Sequence, residues 1–134
     1  MVLKDKIAIV TGGSRGIGRA VVESLARAGC RVIVFSIVSL DLKVLKDDLL
    51  KNGLRIGIKK VDVSNYGQVQ KAVSEVVKKF DTIDIIVNAA GVYGPIGLFR
   101  DNNIKKWSQT LQVNLMGTVN VTLAVLPIMM RNKT

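Results

Sequence analysis

The chain contains no histidine, a single cysteine and two prolines among its 134 residues. Without histidine neither a Ser-His-Asp triad nor an imidazole-ligated metal centre can be built, and no metal site is expected. One cysteine, Cys30, cannot close an intrachain disulfide, and usage this sparse points to a reducing compartment, here the cytoplasm. Cys30 itself reads either as a reactive thiol or as a small apolar residue at a helix–strand junction. Aromatic residues are few as well: three Phe, two Tyr and one Trp. That leaves no aromatic-studded basic surface on which nucleic-acid bases could stack. Long apolar runs are missing too. The longest, LMGTVNVTLAVLPIMM at 115–130, falls short of the ~20 residues a bilayer demands and contains Asn120 and Pro127, so it predicts a buried or interface helix and no membrane partner. The opening MVLKDK is charged and leads straight into a strand-like run, unlike a secretory leader.

Acidic residues are outnumbered two to one, 10 Asp and Glu against 20 Lys and Arg, for a net charge of +10. The cations lie as singles and pairs, such as Lys59-Lys60, Lys78-Lys79 and Lys105-Lys106. Spread in this way they read as a solvated basic surface, and nucleic acid is not the expected partner. With 49% hydrophobic residues, the whole chain, 1–134, suits one domain with a real core.

Apolar runs alternate with segments of helical period. KIAIVT (6–11), RVIVFS (31–36), RIGIKKV (55–61) and TIDIIVN (82–88) read as strands, the last with almost no polar alternation, as when both faces are covered. Between them lie helical patterns from Gly16 to Ala28, over a Leu-rich stretch that stops at Asn52-Gly53, and from a Ser64 cap to about Phe80. After a loop at 91–101, two more helices are predicted near 104–112 and 114–130. This order implies an α/β fold, a doubly wound parallel sheet of Rossmann-like type, incomplete after its fourth strand.

The first strand hands over to its helix through TGGSRGIG (11–18), four glycines in eight positions. In such a fold this turn lies at the carboxyl end of the sheet, where a helix N-terminus offers N–H groups and partial positive charge to an anion. Side chains would obstruct that approach. The spacing Gly12-x3-Gly16-x-Gly18 is neither G-x-G-x-x-G nor a P-loop.

T-G-x-x-x-G-x-G resembles the cofactor motif of the short-chain dehydrogenases/reductases, and three further segments match in register. Asp62-Val63 follows the third strand, where that family contacts adenine. Asn88-Ala89-Ala90-Gly91 is similar to the family's N-N-A-G, with Ala in place of the second Asn. Trp107, then Val113-Asn114-Leu115 and Gly117, resembles the segment whose Asn belongs to the catalytic tetrad. The resemblance implies a nicotinamide dinucleotide held by Gly12, Ser14, Arg15, Gly16, Ile17, Gly18, Ser36, Asp62, Val63, Asn88, Ala89, Ala90 and Gly91, with Asn114 catalytic. Taken on their own, Asp62 is also a strand-end Asp that begins a turn, Asn88 an amide that ties neighbouring strand ends, and Asn114 a helix N-cap. At the end of the second strand an NAD site wants an acid, but Ser36-Ile37 stands there, while Arg15 could face a 2′-phosphate. The expected cofactor is therefore NADP in preference to NAD.

The family's Tyr-x-x-x-Lys has no counterpart, because Gln70 and Gly97 stand four residues after Tyr66 and Tyr93. The chain reads as the N-terminal half of such an enzyme, inactive alone, whose parent would act on a small carbonyl or alcohol substrate. GVYGPIGLF (91–99) would supply one wall of the substrate site. The alternative is a non-catalytic nucleotide-binding or interaction module, RNA-associated through its basic surface. The apolar face of 114–130 (Leu115, Val119, Leu123, Leu126, Met130) and the open edge of the fourth strand predict a homo-oligomer.

Overall fold

A computed structural model of the chain describes residues 3–133. Four parallel strands, β1 (Ile7–Thr11), β2 (Arg31–Ser36), β3 (Gly57–Lys60) and β4 (Ile85–Asn88), stand in the order β3-β2-β1-β4. Helices α1 (Gly16–Arg27), α2 (Ser39–Lys51) and α3 (Tyr66–Phe80) connect them, and α4 (Ile104–Leu111) and α5 (Gly117–Asn132) follow β4. Strand order reverses on the two sides of β1, as in a doubly wound sheet.

The period-2 alternation of the strands builds two cores. Ile7 and Ile9 of β1, with Ile33 and Phe35 of β2, face α3 and α5, where Val69, Val73, Val76, Val121 and Val125 are buried. Ala8 and Val10, with Val32 and Val34, face α1 and α2 and pack with Val22, Ala26, Leu42, Leu45 and Leu49. β1 and β2 are therefore covered on both faces, which is why their sequences show no polar alternation. Cys30 lies in the second core, its Sγ donating to Leu3 O at 3.3 Å. Burial pushes its thiol pKa upward, so the residue behaves as a small apolar side chain.

Several boundaries differ from expectation, each for a local reason. β4 begins three residues late: the Asp84 N–H still donates to Ile7 O at 2.9 Å, but the return bond is made by its side chain, whose carboxylate accepts the Ile7 N–H at 2.8 Å and pairs with Lys6 Nζ at 2.9 Å. β4 is covered on both faces, Ile86 packing on the first core and Ile85 and Val87 on the second, but it stays half-buried because among the described residues it pairs with β1 alone and so forms an edge. α3 is capped by Asn65, whose side chain accepts the Gln68 N–H at 3.0 Å. The expected cap, Ser64, instead donates both its N–H and its hydroxyl to Asp62 Oδ1.

The two last helices are also continuous. A π-helical turn, Gln112–Met116, joins α4 to α5 into one run from Ile104 to Asn132, which by length and composition alone is long enough to cross a membrane. Gly117, Asn120, Val121 and Val125 bury one side of that run against α3 and the sheet, as in a core helix. Val121→Ala should therefore cost about 1–3 kcal/mol, whereas Leu123→Ala, at a position 56% exposed, should cost little. Chemical denaturation of both variants measures the contrast.

Candidate functional site

The loop after β1 is shaped by close backbone approaches. Gly12 takes φ +64°, and a Cβ there would lie 2.6 Å from Ala89 O and from Ala90 Cα. A side chain at this point would force apart the ends of β1 and β4. A Cβ on Gly18 would run into the Gly12 carbonyl, so α1 can pack down on the loop only through hydrogen. Gly13, which the motif spacing left out, is as constrained, with its Cβ position 2.7 Å from Val22 Cγ2 and 2.8 Å from Val34 Cγ1. Gly16 differs: it starts α1 at φ +52° with open space before it.

That open space lies at a bare helix end. Arg15, the N-cap, is extended and offers no side-chain cap, and the first turn of α1 holds no acid. Ile17 beside it is 84% exposed. First-turn amides without a cap, carrying the partial positive end of the helix, suit an anion.

At the end of β2 the hydroxyls of Ser14 and Ser36 lie 3.1 Å apart, with Ser14 buried. Arg15 turns to the first turn of α2, where its Nε lies 2.6 Å from Asp41 Oδ2. The adjacent carboxylate raises the Arg15 pKa, first by hydrogen bonding and then by charge. Asp41 Oδ2 is nevertheless buried without an aligned hydrogen bond, so geometry makes this contact an ion pair first. Nothing in the spacing of the sequence marked Asp41 as a partner of the glycine loop.

At the end of β4 one hydroxyl organises the chain. Thr11 Oγ1, on a residue 1% exposed, accepts the N–H groups of Ala89 at 3.2 Å and Ala90 at 3.1 Å. The sequence put Thr11 at the end of the first strand and at the head of T-G-x-x-x-G-x-G, but assigned its hydroxyl no role. Asn88 does not tie neighbouring strand ends. Its amide reaches Thr122 of α5 at a long 3.4 Å. Asn114 is not an N-cap either, because it lies inside the π-helical turn. Its Oδ1 accepts Val92 N–H at 2.8 Å and its Nδ2 donates to Val92 O at 2.9 Å, which fixes the strand exit beside Gly91.

Asp62 does begin a turn, with Oδ1 taken by Ser64, while its Oδ2 carries no hydrogen bond among the described residues. Val63 is clamped by α5: Asn120, 8% exposed, donates to Val63 O at 2.9 Å, and Gly117 leaves room for Val63 Cγ2. In the sequence Asn120 had stood out only as a polar interruption of an apolar run. The glycine loop, the Ser36 end of β2, Asp62-Val63 and Asn88 to Gly91 thus all follow the carboxyl ends of the parallel strands, the usual ligand side of such a sheet. Tyr66 lies apart at the start of α3, and Tyr93, 96% exposed, borders an open cleft of about 480 Å³ between residues 92–96 and α4. Trp107 packs on Phe99 with ring centroids 5.9 Å apart.

Thr11→Val keeps the shape of the strand end and removes the acceptor shared by Ala89 and Ala90. Leaving a fully buried donor unpaired costs about 1–3 kcal/mol, and these two are part-buried, so the lower end applies. The variant should lose stability on that scale and show faster amide exchange at both alanines. Unchanged exchange there would show that the hydroxyl does not hold the loop.

The short chain dehydrogenase family model matches residues 6–134. The oxidoreductase UcpA of Salmonella typhimurium is 37% identical over 131 residues, covering 98% of this chain and 49% of the relative. Among solved structures, the F189W actinorhodin polyketide ketoreductase with NADPH aligns at TM-score 0.92 and 28% identity, over 97% of this chain and 50% of the other. A short chain dehydrogenase/reductase from Burkholderia phymatum in complex with NAD aligns at TM-score 0.93 and 28% identity, over 100% and 47%. The chain therefore spans about half the length of these relatives, and it belongs to the short chain dehydrogenase family.

Proposed function

We propose that these residues form the cofactor-binding part of an oxidoreductase that moves hydride between a nicotinamide dinucleotide and a small carbonyl or alcohol substrate. The observation that carries this reading is the bare N-terminus of α1, with open space before Gly16 and a backbone cradle that a Cβ at Gly12 or Gly18 would fill. Such a cradle fits a pyrophosphate, and two solved relatives contain NADPH or NAD. When bound, the nicotinamide supplies or accepts the hydride.

In this reading the amides around Ile17 hold the pyrophosphate, and Gly12, Ser14, Gly16 and Gly18 shape its seat. Asp62 Oδ2 accepts from the adenine amino group while Val63 packs beside the base. Ala89, Ala90 and Gly91 form the wall that Thr11 holds against the glycine loop. Ser36 brings a hydroxyl and no charge to the ribose, and Arg15 brings the one cation of the glycine loop, which favours NADP over NAD. Asn114 positions the strand exit next to the reacting end. Neither tyrosine precedes a lysine by four residues, so residues 1–134 alone lack the proton donor that carbonyl reduction needs. We expect no hydride transfer from them on a panel of carbonyl substrates; turnover at ordinary enzyme rates would contradict this.

The π-helical turn and α5 together support self-association. Leu115, Leu123, Leu126 and Met130 are 45–69% exposed, and Val119 is 36% exposed. An apolar face of this kind marks an interface, and we assign it to a homo-oligomer working in the cytoplasm. Leu123→Lys should shift the assembly towards monomer in sedimentation, because a charge would be buried in the contact. A monomer at high concentration, unaffected by the substitution, would contradict the assignment.

Gly18→Val tests the cofactor reading. The branched side chain must displace the Gly12–Gly13 backbone, and calorimetry should find binding of NADPH and NADH abolished. Wild-type affinity in that variant would overturn the assignment.

A further inference from the structure

We propose that Asp41 is a specificity-determining residue, a competing anion that taxes binding of a 2′-phosphorylated dinucleotide by occupying Arg15. This rests on the cofactor reading given above. The Arg15 side chain, 75% exposed, crosses from the glycine loop to the first turn of α2 and meets Asp41 at 2.6 Å. Asp41 is much less exposed, at 20%, and its Oδ2 has no aligned hydrogen bond. Arg15 is the one ion-pair partner of that carboxylate among the described residues. The alternative place for an acid, the end of β2, holds Ser36, whose hydroxyl is engaged with Ser14. Between the glycine loop and the first turn of α2, the charges are those of the Arg15–Asp41 pair; Lys60 neighbours Ser36 in the β2–β3 register.

The two dinucleotides meet this pair differently. A ribose 2′-hydroxyl brings no charge and leaves Arg15 with Asp41. A 2′-phosphate is drawn to Arg15 but must take the guanidinium from a carboxylate already in contact with it, and then lie near that carboxylate. Like charges at such range disfavour each other even where solvent screens them. An opposing effect exists, because Asp41 also restrains the long Arg15 side chain and so reduces the ordering left for a ligand to impose. For an exposed side chain that gain is small, and Arg15 keeps its charge whether or not Asp41 is present. The competition wins, so Asp41 narrows the preference for NADP that Arg15 creates.

The test is a titration of NADPH and NADH onto wild type, Asp41→Asn, Arg15→Ala and the double variant, followed by calorimetry and by nicotinamide fluorescence. Thermal unfolding confirms that each variant is folded, and Asp41→Ser, which also suits a first helical turn, replaces Asp41→Asn if the latter is not. Asp41→Asn should tighten NADPH about three- to five-fold, the scale of an exposed charge pair, and leave NADH within about two-fold. Arg15→Ala should weaken NADPH, and on that background Asp41→Asn should do nothing more. If wild type binds neither dinucleotide, the cofactor reading fails and the proposal falls with it. If wild type binds but Asp41→Asn weakens NADH selectively, Asp41 is a ribose acceptor and the proposal alone is overturned. Equal shifts for both dinucleotides, or an Asp41 effect that persists without Arg15, overturn it as well.

Discussion

The architecture of this corner depends on how closely two strand exits approach each other. Thr11 at the end of β1 accepts two amides from the start of the loop after β4, and Gly12 lies against the same two residues with no room for a Cβ. The contact fixes the floor of the loop, and Gly18 then lets α1 come down on it. The cost of ordering flexible glycines is met where backbone must touch backbone. The first turn of α1 faces open space beside this close approach, so one arrangement carries both a packing constraint and the proposed anion seat.

A second clamp holds the far side of the site. Asn120 and Gly117 draw α5 onto Val63, and Asn114 in the π-helical turn pins Val92. A π-helical turn is costly to maintain and often marks a functional position. Here it rotates the start of α5 so that Asn114 faces the exit of β4 while Val121 and Val125 stay in the core. One helix thus links the sheet's packing to both the adenine side and the reacting side of the proposed site.

Much of this was legible in the sequence for identifiable reasons. The strands β1 and β2 were clear because burial on both faces removes polar alternation, and the glycine turn because its residues are required by sterics. Contacts made by side chains far apart in sequence were not legible. The Asp84 carboxylate marks the start of β4 through bonds to Lys6 and Ile7, 78 and 77 residues away, and Asp41 finds Arg15 from another helix. Nor does composition separate Ser64 from Asn65 as the cap of α3, since both are good caps; Asp62 decides it by taking both donors of Ser64. The join of α4 to α5 escaped periodicity because a π-helical turn breaks the 3.6-residue register that reveals helices.

The central claim is that the carboxyl edge of the sheet, from the glycine loop to Asn88–Gly91, receives a nicotinamide dinucleotide. Residue-resolved amide shifts during titration with NADPH test it most directly. The account predicts the largest changes at Gly12 to Gly18, with further changes at Ser36, Asp62-Val63 and Ala89 to Gly91, and none on the exposed face of α5. Saturable shifts confined instead to the lysine-lined cleft of Lys59, Lys60 and Lys71 beside β3, with the glycine loop silent, would contradict it.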